Sequence, residues 1–417
     1  MTQCSRRALI GALCLWIVAA TLRGWAQAPQ PPAVSAVAAV LMDATTGTVL
    51  VDKAMHQRRP IASTTKIMTA LLALESSNLD EMVTIGEDAV KVESPGLDFT
   101  PGERMVMSDL LAALLLKSSN SAAIAIADHI SGSVPAFAKK MNERAASLGL
   151  KDTHLANPHG LSAPDHYSSA YDLAVMTREA LNYDRFREIV AEKMTEIARP
   201  DRNAKEIITN HNKLLWRADY VDGVKTGWVR DSGHCLVASA TKNGWQLISV
   251  VLDSGDTYSD ALVLLNFGFA NYQQKVFARQ GDAVGRARVR LGRLSFVPAI
   301  CQQTLAQVTG PGLPPAGRLQ VSLKTPKAPV AQGEAVGEAQ LSVDGQVVAS
   351  SPLLAGEQVP RSRVIVAIWW LVKLAALLLV AAAGIRTGAK LVKARRRRRR
   401  GLSPQSGRPY PGRPGQG

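Results

Sequence analysis

The pattern of apolar and polar positions divides the chain into a mixed helical and β-rich part followed by a strand-rich part. Two apolar, β-prone runs, residues 37–42 and 48–51, flank the turn-forming residues 43–47, and this pattern predicts a hairpin. Residues 63–74 are almost wholly apolar over a length that suits a helix, which is typical of a helix buried in the centre of a domain. The first part of the chain is therefore expected to combine a sheet with buried helices.

The same patterns continue to about residue 272. The capping sequence from Ser169 to Asp172 predicts a helix over residues 173–181, and Lys242-Asn-Gly244 predicts a tight turn between two strands. The other predicted elements are helices over 108–117, 122–130 and 259–272 and strands over 233–241 and 245–252. Helices placed within a β framework predict an α+β fold for a domain that spans residues 35–272.

Beyond residue 272 the chain changes to short β-prone runs separated by glycine and proline. Runs such as 287–291 and 339–343 predict a small all-β, sandwich-like domain over residues 273–360. Residues 364–385 are then apolar apart from Lys373 and are long enough to span a bilayer, so we expect a transmembrane helix rather than a helix on the membrane surface.

The two ends of the chain hold its positive charge. The formal charge is +15, but residues 361–417 contain 14 lysines and arginines without an acid, and residues 1–27 contain three arginines without an acid. The body is close to neutral, which argues against nucleic-acid binding. An arginine pair ahead of an apolar run predicts a signal peptide over residues 1–26. Residues 386–417 are expected to form a basic, disordered cytoplasmic tail, which places the body outside the cytoplasm.

Three short motifs occur in an order that suits acyl transfer by a serine. They are Ser63-Thr-Thr-Lys66, Ser118-Ser-Asn120 and Lys225-Thr-Gly227. A lysine can act as the base for a serine when burial and a nearby cation lower the lysine pKa. Ser63 and Lys66 lie three residues apart, so a helix would place both on one face. Ser239-Ala-Thr-Lys242 has the same spacing, but it falls in a predicted strand, where the two side chains point to opposite faces.

The ordered motifs resemble those of the serine penicillin-binding proteins, specifically the low-molecular-weight D-alanyl-D-alanine carboxypeptidases. The resemblance covers residues 35–360. It extends to Asn157-Pro-His-Gly160, Ser168-Ser-Ala-Tyr-Asp-Leu173, Asn210-His-Asn212 and Val221-Asp-Gly-Val-Lys-Thr-Gly227. It implies a β-lactamase/transpeptidase-like catalytic domain with a helical centre and an antiparallel sheet. It also implies removal of the terminal D-alanine from peptidoglycan stem pentapeptides without a cofactor or metal, with β-lactams as covalent inhibitors.

The resemblance also implies catalytic roles for three residues. Ser63 would attack the carbonyl between the two D-alanines and form an acyl-enzyme, with Lys66 as its base. Ser118 would pass a proton to the leaving D-alanine.

Substrate-binding roles are implied for the remaining motif residues. Asn120 would hold the substrate amide, and Lys225 and Thr226 would bind the terminal carboxylate. Beyond Gly227, the backbone N–H of Trp228 would form the oxyanion hole together with that of Ser63.

Two positions depart from the family pattern. Trp228 follows the Lys-Thr-Gly motif, where family members often carry histidine or another polar residue. Asp253-Ser-Gly-Asp256 is acidic, whereas many members have an arginine shortly after the last long strand. Recognition of the carboxylate is therefore expected to depend more on Lys225 and Thr226, and the preferred substrate is expected to differ.

Several alternative functions remain open at this point. A class A β-lactamase requires a Glu-x-x-Leu-Asn loop, and Glu179-Ala-Leu-Asn182 is one residue short of it. A zinc carboxypeptidase would use a cluster such as His154, His159, Asp165 and His166, but their spacing fits no established ligand motif. A non-catalytic wall-binding scaffold is the third alternative. The balance among carboxypeptidase, endopeptidase and transpeptidase activities, which share an acyl-enzyme, is also left open.

Overall fold

The computed structural model describes residues 29–94 and 96–400. The predicted signal peptide over residues 1–26 and the end of the chain beyond residue 400 lie outside the described residues. The described chain forms two compact units. One extends to Phe277 and includes Thr304–Arg318 and Leu341–Val348, and the other comprises Ala278–Gln303, Leu319–Gln340 and the residues from Ala349 onward.

The first unit combines nine helices with a central sheet within the part of the chain that the structure describes. The helices are α1 (Lys66–Ser76), α2 (Glu87–Lys91), α3 (Met107–Leu116), α4 (Asn120–Ser131), α5 (Val134–Ser147), α6 (Ala170–Ala180), α7 (Asp184–Ala191), α8 (Leu214–Arg217) and α9 (Thr257–Asn271). The strands up to residue 252 are β1 (Ala38–Asp43), β2 (Val49–Lys53), β3 (Met82–Thr84), β4 (Arg104–Val106), β5 (Met194–Arg199), β6 (Ala204–Thr209), β7 (Val221–Val229), β8 (Gly233–Lys242) and β9 (Trp245–Leu252).

The central sheet has the strand order β2-β1-β9-β8-β7, and all its neighbouring strands are antiparallel. Both of its faces are covered. Val40 and Met42 of β1 belong to a core shared with the helices α1, α3 and α4, whereas Ala39 and Leu41 belong to a core that includes α9. Because successive side chains of a strand point to opposite faces, a strand buried on both faces has a continuous apolar sequence. This explains the unbroken apolar run of β1.

Local sequence signals set several helix ends. The Ser119 hydroxyl accepts a hydrogen bond from Ala122 N at the start of α4, and the Ser169 hydroxyl accepts one from Asp172 N at the start of α6. The predicted capping box is only half formed, because the Asp172 carboxylate instead accepts hydrogen bonds from Asp152 N and the Thr153 hydroxyl. The Asp172 carboxylate therefore links α6 to the preceding loop instead of completing the capping box at the start of its own helix.

The chain after α9 consists of strands followed by one long helix. The elements are β10 (Gln273–Ala278), β11 (Ala283–Arg288), β12 (Phe296–Cys301), β13 (Leu305–Thr309), β14 (Arg318–Leu323), β15 (Ala335–Val343), β16 (Gln346–Ala355) and α10 (Arg363–Arg400). One sheet has the order β11-β12-β16-β15-β14, and β10 pairs with β13. The predicted fold class, an α+β catalytic domain followed by a small all-β domain, is confirmed.

Helix α10 is a candidate membrane anchor. Its segment Val366–Arg396 is long and apolar enough to cross a bilayer. The prediction of disorder from residue 386 onward was wrong for residues 386–400, which continue the helix. Alanine, leucine, lysine and arginine are strong helix formers, and extending an existing helix avoids the cost of nucleation.

Candidate active site

Ser63 lies on a tight turn at the entrance to α1. Residues Ala62–Thr65 form a 3-10 turn that leads directly into this helix. Ala62 has a positive φ of 47°, and its carbonyl oxygen accepts a hydrogen bond of 2.8 Å from the Thr65 hydroxyl. A Cβ atom on Gly160 would lie 1.9 Å from the same carbonyl oxygen. Glycine at this position therefore allows the loop before Leu161 to support the turn that carries Ser63.

Three oxygen atoms surround the Lys66 amine. Its Nζ lies 2.6 Å from Asn120 Oδ1, 2.7 Å from the His159 carbonyl oxygen and 3.0 Å from Ser63 Oγ. The amide and carbonyl oxygens can only accept, so they occupy two N–H bonds of the amine. In the neutral amine the lone pair then faces Ser63 Oγ, which is the arrangement required to remove the hydroxyl proton.

Burial and a neighbouring cation favour the neutral form of Lys66. Its side chain is fully buried, and desolvation together with repulsion from Lys225 holds the pKa of Lys66 well below its usual value. Desolvation lowers the pKa of the buried Lys225 to about 7. Lys66 can therefore be neutral, and thus a base, under conditions in which an exposed lysine is charged.

The Asn120 side chain is fixed from two sides. Its Nδ2 donates a hydrogen bond of 2.6 Å to the Glu93 carbonyl oxygen, which turns Oδ1 towards Lys66. Its backbone N–H donates to Ser94 Oγ at 2.9 Å. One N–H bond of the amide remains for a ligand.

Residues 157–160 position acceptor oxygens against α1 through their backbone. Asn157 Oδ1 accepts hydrogen bonds from the backbone N–H groups of His159 and Gly160, which folds the segment into a tight turn. The turn directs the His159 carbonyl oxygen to Lys66 and the Pro158 carbonyl oxygen to the Thr69 hydroxyl. Sequence reasoning noticed this segment but did not foresee that a backbone carbonyl orients the lysine. The Asn-Pro-x-Gly turn signal was its only trace in the sequence.

The histidines near this loop have protein partners. Because the Thr65 hydroxyl donates to Ala62, His166 Nε2–H donates to Thr65 Oγ1, and His166 Nδ1 accepts from Ala156 N. Burial lowers the pKa of His166 to about 4, in agreement with this neutral tautomer. His154 Nδ1 contacts the Asp165 carbonyl oxygen, and His159 Nδ1 accepts from Leu161 N. Within residues 29–94 and 96–400, no group of three or more histidine, cysteine or acidic residues could hold a metal ion.

The Lys-Thr-Gly motif lies on β7, which is an edge strand of the central sheet. A Cβ atom on Gly227 would lie 3.0 Å from Ser63 N and 3.1 Å from Ala62 Cβ. Glycine therefore lets β7 approach the turn of Ser63 closely. Lys225 is buried beneath this edge, and its amine donates a hydrogen bond of 3.0 Å to the Thr226 carbonyl oxygen.

A cleft of about 370 Å³ opens above these residues. Its lining residues are Ser63, Ser118, His211, Thr226, Gly227, Trp228, His234, Cys235, Thr257 and Tyr258. Five of the eight residues named from the sequence line this cleft, while Lys66, Asn120 and Lys225 are buried behind it. Sequence reasoning missed the lining residues that come from the start of α9 and from β8, because only the fold brings them to the motifs.

Ser118 also lines the cleft. It adopts a positive φ of 61°, which is uncommon for a residue other than glycine, and it is 7% exposed. Its hydroxyl makes no hydrogen bond within the described residues. The hydroxyl is therefore available to a ligand in the cleft.

The acidic residue after β9 pairs with an arginine from elsewhere in the chain. Asp253 accepts a hydrogen bond from the guanidinium of Arg59, which is four residues before Ser63. Asp253, where the sequence departs from the family pattern, therefore links the segment before Ser63 to the end of β9.

Glu179, which was considered above as part of a β-lactamase loop, forms an ion pair instead. Glu179 lies in α6, and its carboxylate is 2.6 Å from the Arg144 guanidinium, which also pairs with Glu75. No aspartate or glutamate lines the cleft among the described residues.

The chain is similar to proteins of known activity over most of its length. Residues 25–256 match the family described as D-alanyl-D-alanine carboxypeptidase, and residues 272–361 match the family described as the C-terminal domain of penicillin-binding protein 5. The D-alanyl-D-alanine carboxypeptidase DacD of Salmonella typhimurium is 35% identical over 352 residues, which cover 80% of this chain and 89% of that protein. DacF of Bacillus subtilis is 32% identical over 334 residues, which cover 78% and 86%. The crystal structure of penicillin-binding protein 5 from Haemophilus influenzae has a TM-score of 0.59 at 32% identity and covers 80% of this chain and 100% of that chain.

Proposed function

The chain belongs to the D-alanyl-D-alanine carboxypeptidase family of serine hydrolases, and we propose that it removes the terminal D-alanine of peptidoglycan pentapeptides through an acyl-enzyme on Ser63. The observation that carries the proposal is the buried Lys66 amine, which lies 3.0 Å from Ser63 Oγ and has both its other contacts on acceptor oxygens. This arrangement supplies a base at the hydroxyl without a histidine.

In acylation, Ser63 Oγ attacks the carbonyl between the two D-alanines while Lys66 takes the hydroxyl proton. The backbone N–H groups of Ser63 and Trp228 stabilise the negative charge that develops on the carbonyl oxygen. The close approach of β7 at Gly227 supports this pairing of the two donors.

Departure of D-alanine requires a proton on its nitrogen. Ser118 passes this proton from the Lys66 ammonium to the leaving amine, and its hydroxyl in the cleft is free to do so. Asn120 holds the substrate amide with its remaining N–H bond. Lys225 and Thr226 bind the C-terminal carboxylate of the last D-alanine, which accounts for cleavage at the chain end.

In hydrolysis, water attacks the ester carbonyl and Lys66 accepts the water proton. The bond between the carbonyl carbon and Ser63 Oγ then breaks as Lys66 returns this proton to Oγ, which completes the cycle. When Ser63 opens the β-lactam ring of a penicillin, the amine that would depart remains covalently attached to the acyl group. No product therefore leaves to make room for water. No carboxylate lines the cleft to activate a water molecule within the described residues. We therefore infer that β-lactams form long-lived covalent adducts and that rapid β-lactam turnover is not the activity of this protein.

The location follows from the ends of the chain. We propose that residues 1–26 direct secretion, that α10 spans the cell membrane, and that the basic segment from Arg386 onward lies in the cytoplasm. The catalytic unit then faces the peptidoglycan.

Product analysis on a defined peptidoglycan pentapeptide would test the proposal. The unaltered protein should release one D-alanine per peptide, whereas Ser63→Ala should release none and should not retain labelled penicillin. A tetrapeptide product identifies a carboxypeptidase, and cleavage of a cross-linked dimer identifies an endopeptidase. Release of D-alanine by Ser63→Ala at the same rate would contradict the assignment, as would activity that disappears with a chelator.

A further inference from the structure

Three segments of the chain meet at the end of the second unit from which α10 extends. We call them together the basic end. They are the turn between β11 and β12, the residues after β14 and the residues that lead into α10, numbered 288–296, 324–328 and 359–363. They contain five arginines and two lysines but no aspartate or glutamate. All seven basic residues are exposed, so the basic end presents positive charge alone to its surroundings.

Backbone hydrogen bonds hold the basic end together and join it to the start of α10. The N–H of Arg290 donates to the Pro326 carbonyl oxygen at 2.8 Å, which connects the first two segments. The N–H of Ser362, one residue before α10 begins, donates to the Leu291 carbonyl oxygen at 2.9 Å, which connects the third. The arginines of the turn therefore lie beside the point where the candidate membrane anchor starts.

The protein does not neutralise these basic side chains. Among the residues that the structure describes, none of them forms an ion pair with an aspartate or glutamate, although Arg361 Nε donates to the Ala328 carbonyl oxygen at 3.2 Å. Two large apolar side chains lie in the same turn, where Leu294 is 43% exposed and Phe296 is 51% exposed. Arg288 is the cross-strand partner of Phe296, so a guanidinium flanks the exposed ring. Exposed basic and apolar side chains together are typical of surfaces that contact anionic membranes.

We propose that the basic end binds the anionic headgroups of the membrane that holds α10, and that Leu294 and Phe296 insert at the level of these headgroups. The inference rests on the membrane location proposed above. Lipid is favoured over an acidic protein, because the hydrogen bond from Ser362 already brings the basic end to the surface that the anchor enters. Each lysine or arginine close to an anionic bilayer strengthens the attraction about fivefold. The second unit is then held on the bilayer by its own surface as well as by its anchor.

A fluorophore between the two apolar side chains tests the inference. Ser295→Cys places a thiol at an exposed position between Leu294 and Phe296, whereas Cys235 and Cys301 are buried. The full-length protein would be labelled with nitrobenzoxadiazole, which emits more strongly away from water. It would then be reconstituted into vesicles of phosphatidylcholine alone or of equal parts phosphatidylcholine and phosphatidylglycerol. The unaltered protein, treated with the same dye, measures labelling at other cysteines.

Emission should be at least about twofold stronger in the vesicles that contain phosphatidylglycerol, because their charge draws the basic end to the surface. The increase should disappear in about 1 M salt, where the Debye length is only about 3 Å. This second measurement needs no further substitution. Equal emission in the two kinds of vesicle would overturn the inference and would favour an acidic protein as the partner of the basic end.

Paired substitutions separate charge from structure. Arg290→Gln with Arg293→Gln should abolish the increase, because two charges together contribute about 25-fold to the attraction. Arg290→Lys with Arg293→Lys keeps both charges and should retain at least about half of the increase. Arg279→Gln is the control for position. Arg279 is an exposed arginine of the same unit at the opposite end of β11, and its substitution should leave the increase unchanged.

The remaining outcomes distinguish the inference from the proposals on which it depends. Loss of the increase in the paired lysine variant, or an equal loss in Arg279→Gln, would overturn the inference alone. Extraction of the unaltered protein from both kinds of vesicle by alkaline carbonate would overturn the proposed membrane location. All variants should release D-alanine from a soluble pentapeptide at the rate of the unaltered protein, since the basic end does not line the cleft. Absence of release by the unaltered protein would overturn the proposed activity and leave the lipid measurement unaffected.

Discussion

The substitution Gly160→Ala should show whether the loop that contains Gly160 positions the Ser63 hydroxyl, in addition to stabilising the fold. Gly160 has a φ of +88°, and a Cβ atom there would lie 1.9 Å from the Ala62 carbonyl oxygen and 2.9 Å from Thr65 Oγ1. Ordinary contact begins at about 3.4 Å, so the loop and the turn before Ser63 must separate by about 1.5 Å. The substitution therefore moves the atoms that position the attacking hydroxyl.

The magnitude has two parts. Left-handed backbone costs an alanine about 1–2 kcal/mol, and forcing an extra carbon into a packed site costs about 1–3 kcal/mol. Together these terms predict a loss of about 2–5 kcal/mol in the free energy of unfolding for Gly160→Ala. Displacement of the nucleophile by about 1 Å should lower the acylation rate about 100-fold.

Gly149→Ala supplies the matched control. Gly149 has a φ of +74° and no atom within 4 Å of a built Cβ, so its substitution incurs the backbone cost alone. Thermal unfolding would measure stability, and the rate of labelling by fluorescent penicillin would measure acylation. Gly149→Ala should lose about 1–2 kcal/mol and acylate normally. If Gly160→Ala acylates within threefold of Gly149→Ala, the loop does not position Ser63 and the reasoning fails.

Two further predictions concern the groups buried behind the cleft. Lys225→Met should abolish peptide cleavage but raise the melting temperature, and the rise should be larger at pH 6 than at pH 9. The reason is that each unit by which the folded state lowers the pKa of Lys225 corresponds to about 1.4 kcal/mol of destabilisation while the amine is charged. An equal rise in melting temperature at both pH values would contradict this. Ser94→Ala should lower the free energy of unfolding in urea by about 1–3 kcal/mol and slow acylation, because the Asn120 backbone N–H loses its acceptor. As a control, Ser133→Ala at the exposed start of α5 should lower the free energy of unfolding by about 1 kcal/mol without slowing acylation.

Apolar periodicity predicted the parts of the fold that depend on burial. The run of β1 and the apolar residues of α1 mark elements covered on all sides, and turn residues between β8 and β9 mark a hairpin. The order of the three motifs named the residues that meet at Ser63. These features are expressed in residue types, because a buried position requires an apolar side chain and a catalytic position requires a specific functional group.

Other features of the site depend on backbone atoms or on contacts between residues that are far apart in the sequence. No pattern of residue types therefore predicted them. The His159 carbonyl oxygen could be supplied by any residue type at that position, so its contact with Lys66 was not predictable. Ser94 and Tyr258 reach the site only because the segment after α2 and the start of α9 are packed there. The helical course of residues 386–400 was missed because charge composition was given more weight than helix propensity.

The two buried lysines connect the proposed chemistry with the stability of the fold. Lowered folded-state pKa values mean that the unfolded chain binds more protons, so the stability contributed by Lys225 should rise as the pH increases from about 7 towards 10.5. Lys66 has the same sign, and its proximity to Lys225 adds repulsion when both are charged. The burial that lowers the pKa of Lys66, and so favours its proposed role as a base, is therefore also what destabilises the fold while the amine is protonated. The acceptor oxygens of Asn120 and His159 reduce this cost by satisfying two N–H bonds of Lys66. Their positions, held by Glu93 and by the turn at Asn157, are thus needed for stability and for catalysis together.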